Sequence, residues 1–343
     1  MSALHAKEMT DIRDLPPMDL IFGQSSMMAV AKAKLERVAN TNVPVLLQGA
    51  SGTGKDIIAR CLHAMSDRSK NSLIKVTCPA IPSTLIESEL FGYEKGAFTG
   101  AYATKRGRVE QAHLGTLFLD EISSLDKAVQ GKLLQVLQDG SFMRVGGQQQ
   151  RSVDTRLISA ANGNLRRQTE DGTFRLDFLF RINAVTIDLP SLRQRSVDIP
   201  VLIQHFLEKY AQTFHMTPKP ISREMTRMLL GYDWPGNIRQ LENLIRSYVL
   251  IGDEESIMAD LIPTTSVNEI ADIDLLKPVS LKDITKSATK NLEREIILKV
   301  LHAHGWNRQK TAKWLNISYR SLLYKLEDSQ FQRGETGGSR EAN

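Results

Sequence analysis

Cysteine is almost missing from this 343-residue chain. There are two, Cys61 and Cys78, with no CxxC pair and no cluster of histidines. That excludes a disulfide framework and argues against a thiolate metal centre, so reduced core thiols and a reducing, cytoplasmic compartment are expected. Long apolar runs are missing too. No stretch approaches membrane-spanning length, and the start, Met-Ser-Ala-Leu-His-Ala-Lys-Glu, lacks a signal-peptide layout, so no membrane partner is expected. Nor does one sign of charge dominate, since the net charge is +5. Its distribution is uneven, however. Between Lys286 and Arg333 ten Lys and Arg face four acids, so the basic excess lies at the C-terminal end, as in a nucleic-acid-binding appendage or a solvated basic face.

The length exceeds one compact core, and two or three domains are expected. Residues 1–20 are polar, contain Pro16-Pro17, and read as a short tail with no room for a receiver or ligand-sensing domain. A helix follows through Val38, with Ser25 or Ser26 as its N-cap.

Val43 to Gln48 has the pattern of a short buried strand. It runs into Gly49-Ala50-Ser51-Gly52-Thr53-Gly54-Lys55 and then a helical segment. Strand, glycine loop, Lys and helix form a phosphate-binding context: backbone N–H groups and the helix dipole face the phosphates, and Lys55 neutralises the β/γ oxygens. The residue after Lys55 is Asp56, so the usual hydroxyl ligand to Mg²⁺ is missing. Gly115 to Glu121 is a second nucleotide pattern, an apolar strand closed by two acids. Buried charge needs a cation or a reaction, so Asp120 is assigned to Mg²⁺ and Glu121 to polarising the attacking water of ATP hydrolysis.

Val153 to Ala161 reads as a strand ending at Asn162, which either initiates a loop or senses the γ-phosphate. Arg175 and Arg181 flank apolar residues and suit bidentate phosphate recognition across a subunit boundary, with intrachain salt bridges as the alternative. Asp198 to about Asp260 is helical, with Asn237 as a candidate cap. Pro263 to Lys282 loses periodicity and reads as a linker. Three helices then follow, Leu292 to Leu301, Arg308 to Leu315, and Tyr319 to Leu326, with Ser318 capping the third. The tight break at Asn316-Ile317 fits a helix-turn-helix, and a plain three-helix interaction module is the alternative. The third helix turns Tyr319, Arg320, Ser321, Tyr324 and Lys325 outward, while Leu322, Leu323 and Leu326 pack inward.

The stretch between the two nucleotide patterns is the most specific. Glu87-Ser-Glu-Leu-Phe-Gly92 precedes Gly96-Ala97-Phe98-Thr99-Gly100-Ala101, whose small residues bury little area and place Phe98 on a loop tip. The alternative is an ordinary turn whose Phe tucks into the core. With Glu87–Gly92 ahead of it, this hexapeptide resembles the signature of bacterial sigma-54-dependent activators, the enhancer-binding AAA+ ATPases of NtrC type. The resemblance covers roughly residues 20–330. An acidic residue such as Asp56 after the P-loop Lys is common in that family.

The resemblance implies an α/β P-loop AAA+ core, a parallel sheet with flanking helices, over residues 21–188. An all-α lid over 189–262, a linker over 263–284, a Fis-type helix-turn-helix over 285–330 and a disordered tail over 331–343 would follow. It implies that Gly96 to Ala101 contact sigma-54, that Asn162 is the first sensor, and that Arg239 is the second. Arg175 and Arg181 become trans-acting fingers. The second pore loop falls at Phe142 to Gln150, and Arg308 joins the recognition helix in contacting DNA. Thr77 stands where the family carries an Asn that restrains the catalytic Glu, so coupling between Glu121 and the loop is expected to differ. The implied protein is a receiver-less activator. It uses ATP and Mg²⁺, binds an upstream double-stranded DNA site, and forms a homo-oligomer, hexameric by resemblance. Hydrolysis would remodel the closed complex of sigma-54-RNA polymerase into an open one, under a regulatory protein acting in trans or the amount expressed. Two other classes stay open at this point: a DNA-binding repressor on a degenerate scaffold, and a AAA+ remodeller of unfolded clients.

Overall fold

Alternation along short strands sorts the apolar side chains of this chain onto two faces of one sheet. The computed structural model describes residues 15–217, 219–254, 257, 261, 296, 297, 300 and 308–322. Its main sheet contains β1 (Val45–Gln48), β2 (Leu73–Thr77), β5 (Thr116–Asp120), β8 (Arg156–Ala161) and β9 (Val185–Asp188), in the order β2-β5-β8-β1-β9 and parallel throughout. Two hairpins stand apart from it, β3 (Gly92–Tyr93) with β4 (Lys105–Arg106), and β6 (Ser141–Met143) with β7 (Gln150–Ser152).

Parallel strands need crossovers, and helices supply them on both faces. Leu46, Ile74, Val76, Leu117, Leu119 and Leu157 point to one face, among residues of α4 (Ser83–Phe91), α5 (Arg108–Gln111), α6 (Lys127–Asp139), α7 (Leu165–Glu170) and α8 (Leu176–Ile182). Val45, Leu47, Leu73, Phe118, Ile158 and Ile187 point to the other, where α2 (Ser26–Val38) and α3 (Lys55–Ala64) cover them. Each fully buried side chain of this size contributes about 1.5–3 kcal/mol, more than the roughly 1 kcal/mol spanned by strand propensities, so burial decides where these short strands lie. Cys61 and Cys78 are free and buried, as expected for core thiols. Burial pushes them up to about 11 and about 12.

The N-terminal end differs from the expected tail. A short helix, α1 (Met18–Phe22), begins inside it and buries Phe22. Ser25 is the residue before α2, but its side chain makes no cap; its backbone N–H, with that of Gln24, donates to Asp198 instead.

Three helices follow β9: α9 (Ile199–Phe214), α10 (Arg223–Gly231) and α11 (Asn237–Ile251). They close around Met225, Leu229, Trp234, Leu241, Ile245 and Tyr248. The indole N–H of Trp234 donates to the Leu229 carbonyl at 2.9 Å, so the large ring is buried with its one donor satisfied.

The C-terminal unit is described in part. Helix α12 (Arg308–Trp314) is followed by a turn through Asn316 and a helical stretch from Tyr319 to Leu322. Ser318 Oγ accepts from the backbone of Ser321 at 3.0 Å, the cap expected for a recognition helix. Leu322 packs with Ile297 and Ala312, while Tyr319 and Arg320 are exposed. Tyr324, Lys325, Leu323, Leu326, the linker 263–284 and the tail 331–343 lie outside the described residues.

Candidate active site

The carboxyl ends of β1, β8 and β5 lie side by side, and each delivers one polar group. Gln48 pairs with Ala161, so the glycine loop after β1 and Asn162 after β8 begin at the same level. The Gly49 N–H donates to the Ala161 carbonyl and ties the two loops together. Lys55 opens α3 at the end of the glycine loop and is buried. Its ammonium donates to the carbonyls of Gly49 and Ala50 at 2.7 and 2.9 Å and to Asn162 Oδ1 at 2.5 Å. Burial lowers the Lys55 pKa, opposed by the charges of Asp120 and Glu121.

Asn162 has a second partner. Its amide donates to Glu121 Oε1 at 2.5 Å. Glu121 reaches that point through its backbone, which sits in the left-handed region at φ 58°. A non-glycine residue there is strained by about 1–3 kcal/mol, a pattern concentrated at functional sites. This backbone turn separates the two acids: Asp120 ends β5 in register with Thr77, and Glu121 leaves the strand. Among the described residues no hydrogen bond joins Thr77 to Glu121. The carboxylate is held by the first-sensor candidate.

Asp120 and Asp56 converge from two elements on Lys75, whose ammonium lies 2.5 Å from Asp56 Oδ1 and 3.6 Å from Asp120 Oδ2. Lys75 was not singled out in the sequence. Its signal was there, a lone cation inside Leu-Ile-Lys-Val-Thr, on the face of β2 that meets α3. Two carboxylates directed at one cation position suit Mg²⁺, which takes few protein ligands and completes its shell with water and phosphate oxygens. No group of three or more His, Cys, Asp or Glu side chains that could hold a metal ion occurs among the described residues.

The lid meets the glycine loop through α11. Asn237 was expected to cap that helix, but Gly236 is the cap position and Asn237 lies inside. Its buried side chain accepts from the Leu192 backbone and donates to the Ser51 carbonyl, both at 2.8 Å. The Ile238 N–H donates to the Gly52 carbonyl, and Arg239 reaches Ser51 Oγ at 3.3 Å. Gly52 has φ +76°, and a Cβ there would stand 2.3 Å from the Gly236 carbonyl, so only glycine lets the lid come this close. Arg195 also enters from the segment before α9 and donates to the Thr53 carbonyl.

Arg175 is the residue before α8, and Arg181 lies in its last turn. Arg175 is paired with Asp177 through two hydrogen bonds, and Arg181 donates to the Leu137 carbonyl. Hydrogen bonds raise the Arg175 pKa and lower that of Asp177. Among the described residues neither arginine bonds to the glycine loop or to Glu121. Phe180 and Leu176 are exposed beside them.

Gly96 to Ala101 form the tip of the β3–β4 hairpin. Gly96 and Gly100 have positive φ, with open space around both. Phe98 is 41% exposed and meets Tyr93 edge-on at 4.9 Å, so it leans on the hairpin and does not enter the core. Thr99 is exposed, whereas Ala101 is buried. Phe98 is one large apolar group at this tip. Tyr102 is a second, at 88% exposure. The hairpin base is joined to the β6–β7 hairpin by a bridge between Tyr93 and Val145. An ion-pair network reinforces it: Arg144 binds Glu110 through two hydrogen bonds and Glu94 through one. Sequence reading missed this network because its members lie 34 and 50 residues apart.

Comparison with known proteins bears on these features together. Residues 21–188 match the Sigma-54 interaction domain, 193–271 the AAA+ ATPase lid domain, and 289–328 the Fis family of bacterial regulatory proteins. The Regulatory protein AtoC of Escherichia coli is 40% identical over 90% of this chain and 67% of its own length. The Nif-specific regulatory protein of Azotobacter vinelandii is 39% identical over 90% of this chain and 58% of its own. The chain thus spans between about half and two thirds of the length of such relatives. Among solved structures, NtrX of Brucella abortus in complex with ATP superposes with a TM-score of 0.66 at 31% identity, covering 90% of this chain and 69% of NtrX.

Proposed function

Because the chain belongs to the sigma-54 activators, with a Sigma-54 interaction domain, a AAA+ lid and a Fis-type helix-turn-helix, we propose that it is an ATP-driven activator of sigma-54-RNA polymerase. It binds an upstream DNA site, assembles into a ring, and uses hydrolysis to open the promoter complex. The observation that carries this reading is the hydrogen-bonded line Lys55–Asn162–Glu121, in a chain whose β3–β4 hairpin exposes Phe98.

Each residue has a task in that scheme. Lys55 exchanges the Gly49 and Ala50 carbonyls for β- and γ-phosphate oxygens, and the loop N–H groups from Gly49 to Gly54 cradle the rest. Asp120, with Asp56, holds Mg²⁺, which when bound offsets charge on the phosphates. Glu121 takes a proton from the attacking water, and Asn162 aims it. Because Asn162 touches both Lys55 and Glu121, phosphate arrival at Lys55 frees the amide to reset the carboxylate. Arg175 and Arg181 of a neighbouring subunit complete the site, and Arg239 reports its state to the lid. Phe98 and Thr99 then engage sigma-54. On DNA, Arg308, Tyr319, Arg320, Ser321, Tyr324 and Lys325 supply the contacts.

The test is open-complex formation on a promoter of sigma-54 type with purified polymerase and the full chain. ATP should yield single-stranded DNA around the start site, and ADP should not. Equal opening without the chain, or none with ATP, contradicts the proposal.

A further inference from the structure

Asp56 and Asp120 sit where a triphosphate's metal would be held, and both already face a cation supplied by the chain itself. Lys75 arises from the middle of β2, between the buried Ile74 and Val76, and shares a face with Phe118. Its ammonium lies 5.7 Å from the Phe118 ring centre, 2.5 Å from Asp56 and 3.6 Å from Asp120. Strand β2 is fixed to β5 by five paired residues from Leu73 to Thr77. The charge is therefore positioned by the sheet, not by a mobile loop.

We propose that Lys75 is an internal counter-cation of the nucleotide site. It neutralises Asp56 and Asp120, lets nucleotide bind with little help from a divalent ion, and holds both carboxylates until phosphate and metal draw them away. The physical argument is electrostatic. Two carboxylates beside a polyphosphate repel it, and in a partly desolvated cleft that repulsion is larger than in water. Ordinarily a divalent ion offsets it. Here a monovalent cation is built in, leaving the trio Asp56, Asp120 and Lys75 with a net charge of −1 in place of −2. A metal ion must displace Lys75 from Asp56 to take its place. Wild-type protein should thus bind nucleotide almost equally well with or without Mg²⁺, and bind free divalent ion weakly. This rests on the reading of the cleft as a nucleotide site.

Two probes separate the proposal from that reading. The first is a fluorescent ADP analogue, titrated in EDTA and in excess Mg²⁺ against wild-type, Lys75→Met, Lys75→Arg and Lys55→Ala protein. The second is Mn²⁺ alone, followed by electron paramagnetic resonance. Wild type should show less than about a threefold affinity difference between EDTA and Mg²⁺. Lys75→Met, which keeps an apolar stem, should lose about tenfold or more in EDTA only, the scale expected for one close charge at a partly exposed site. It should also bind Mn²⁺ more tightly. Lys75→Arg should restore the wild-type profile, and thermal melting confirms that each variant is folded. An unchanged Mg²⁺ dependence and Mn²⁺ affinity in folded Lys75→Met overturn the counter-cation. Binding that survives Lys55→Ala, or no binding by wild type, overturns the nucleotide site itself.

Discussion

Asn162 donates its side-chain amide to Glu121 Oε1 across 2.5 Å, and its carbonyl oxygen accepts from Lys55. One neutral side chain therefore joins the cation assigned to phosphate to the carboxylate assigned to water. Glu121→Gln should keep nucleotide binding and lower steady-state hydrolysis by about a hundredfold or more, about 2.7 kcal/mol of barrier. Asn162→Ala should lower it less, since the carboxylate remains but is no longer aimed. Turnover of Glu121→Gln at the wild-type rate in a phosphate-release assay would remove Glu121 from this role.

The lid depends on one close approach. Gly52→Ala places a Cβ against the Gly236 carbonyl at a residue with φ +76°. Strain of about 1–3 kcal/mol corresponds to about five- to 150-fold weaker nucleotide binding if the lid must dock for binding. Calorimetric titration with ATP measures it directly, and unchanged affinity would show that the close approach of Gly52 to Gly236 has no part in binding.

The network under the hairpin makes a prediction about acid. Burial raises the Glu110 pKa, but the hydrogen bonds and charge of Arg144, with Arg151 and Arg106, outweigh it and hold the carboxyl below its usual range. A depressed folded value stabilises the fold above the unfolded pKa, near 4.3 for Glu, and the gain disappears as pH falls through the folded value. Glu110→Gln should thus cost about 3 kcal/mol at pH 7 by leaving Arg144 buried and short of a partner. Urea unfolding at pH 7 and below pH 4 should show that gap close. A gap independent of pH would contradict the ion-pair account.

How much of this was legible in the chain depends on how far apart the partners lie. The glycine loop, the acids closing β5 and the hexapeptide around Phe98 are local patterns, and each stands where its spacing placed it. Asn237 was taken for a cap because Asn precedes a helix, but its neighbours Leu192 and Ser51 are distant in sequence and claim its side chain. Lys75 was not singled out, because only parallel pairing of β2 with β5 sets it beside Asp120. Tyr102 carries no periodic signal, and its exposure follows from the turn made by Gly96 and Gly100.

Within one chain Arg175 is occupied by Asp177 and Arg181 by a carbonyl. Arg175→Ala and Arg181→Ala should each cripple hydrolysis, and mixing either with Asp120→Ala protein should restore part of it, since some interfaces then pair an intact site with an intact arginine. Activity that never returns, although subunit exchange is shown by mass spectrometry, would argue that these arginines act within their own chain.

Hydrolysis coupled to the hairpin tip is the centre of this account, and Phe98→Ala tests it most directly. Phe98 touches Tyr93 and solvent, not the buried core. Truncating a surface-loop residue typically changes stability by less than about 0.5 kcal/mol, whereas removing an aromatic anchor from an interface can cost about 2–4 kcal/mol of binding. The measurement is sigma-54 affinity in the presence of ATP, taken on the same preparation as melting temperature and ATPase rate. The account predicts an unchanged melt, hydrolysis near the wild-type rate, and sigma-54 binding weakened by about thirtyfold or more. A folded, hydrolysing Phe98→Ala protein that binds sigma-54 as tightly as wild type would contradict it.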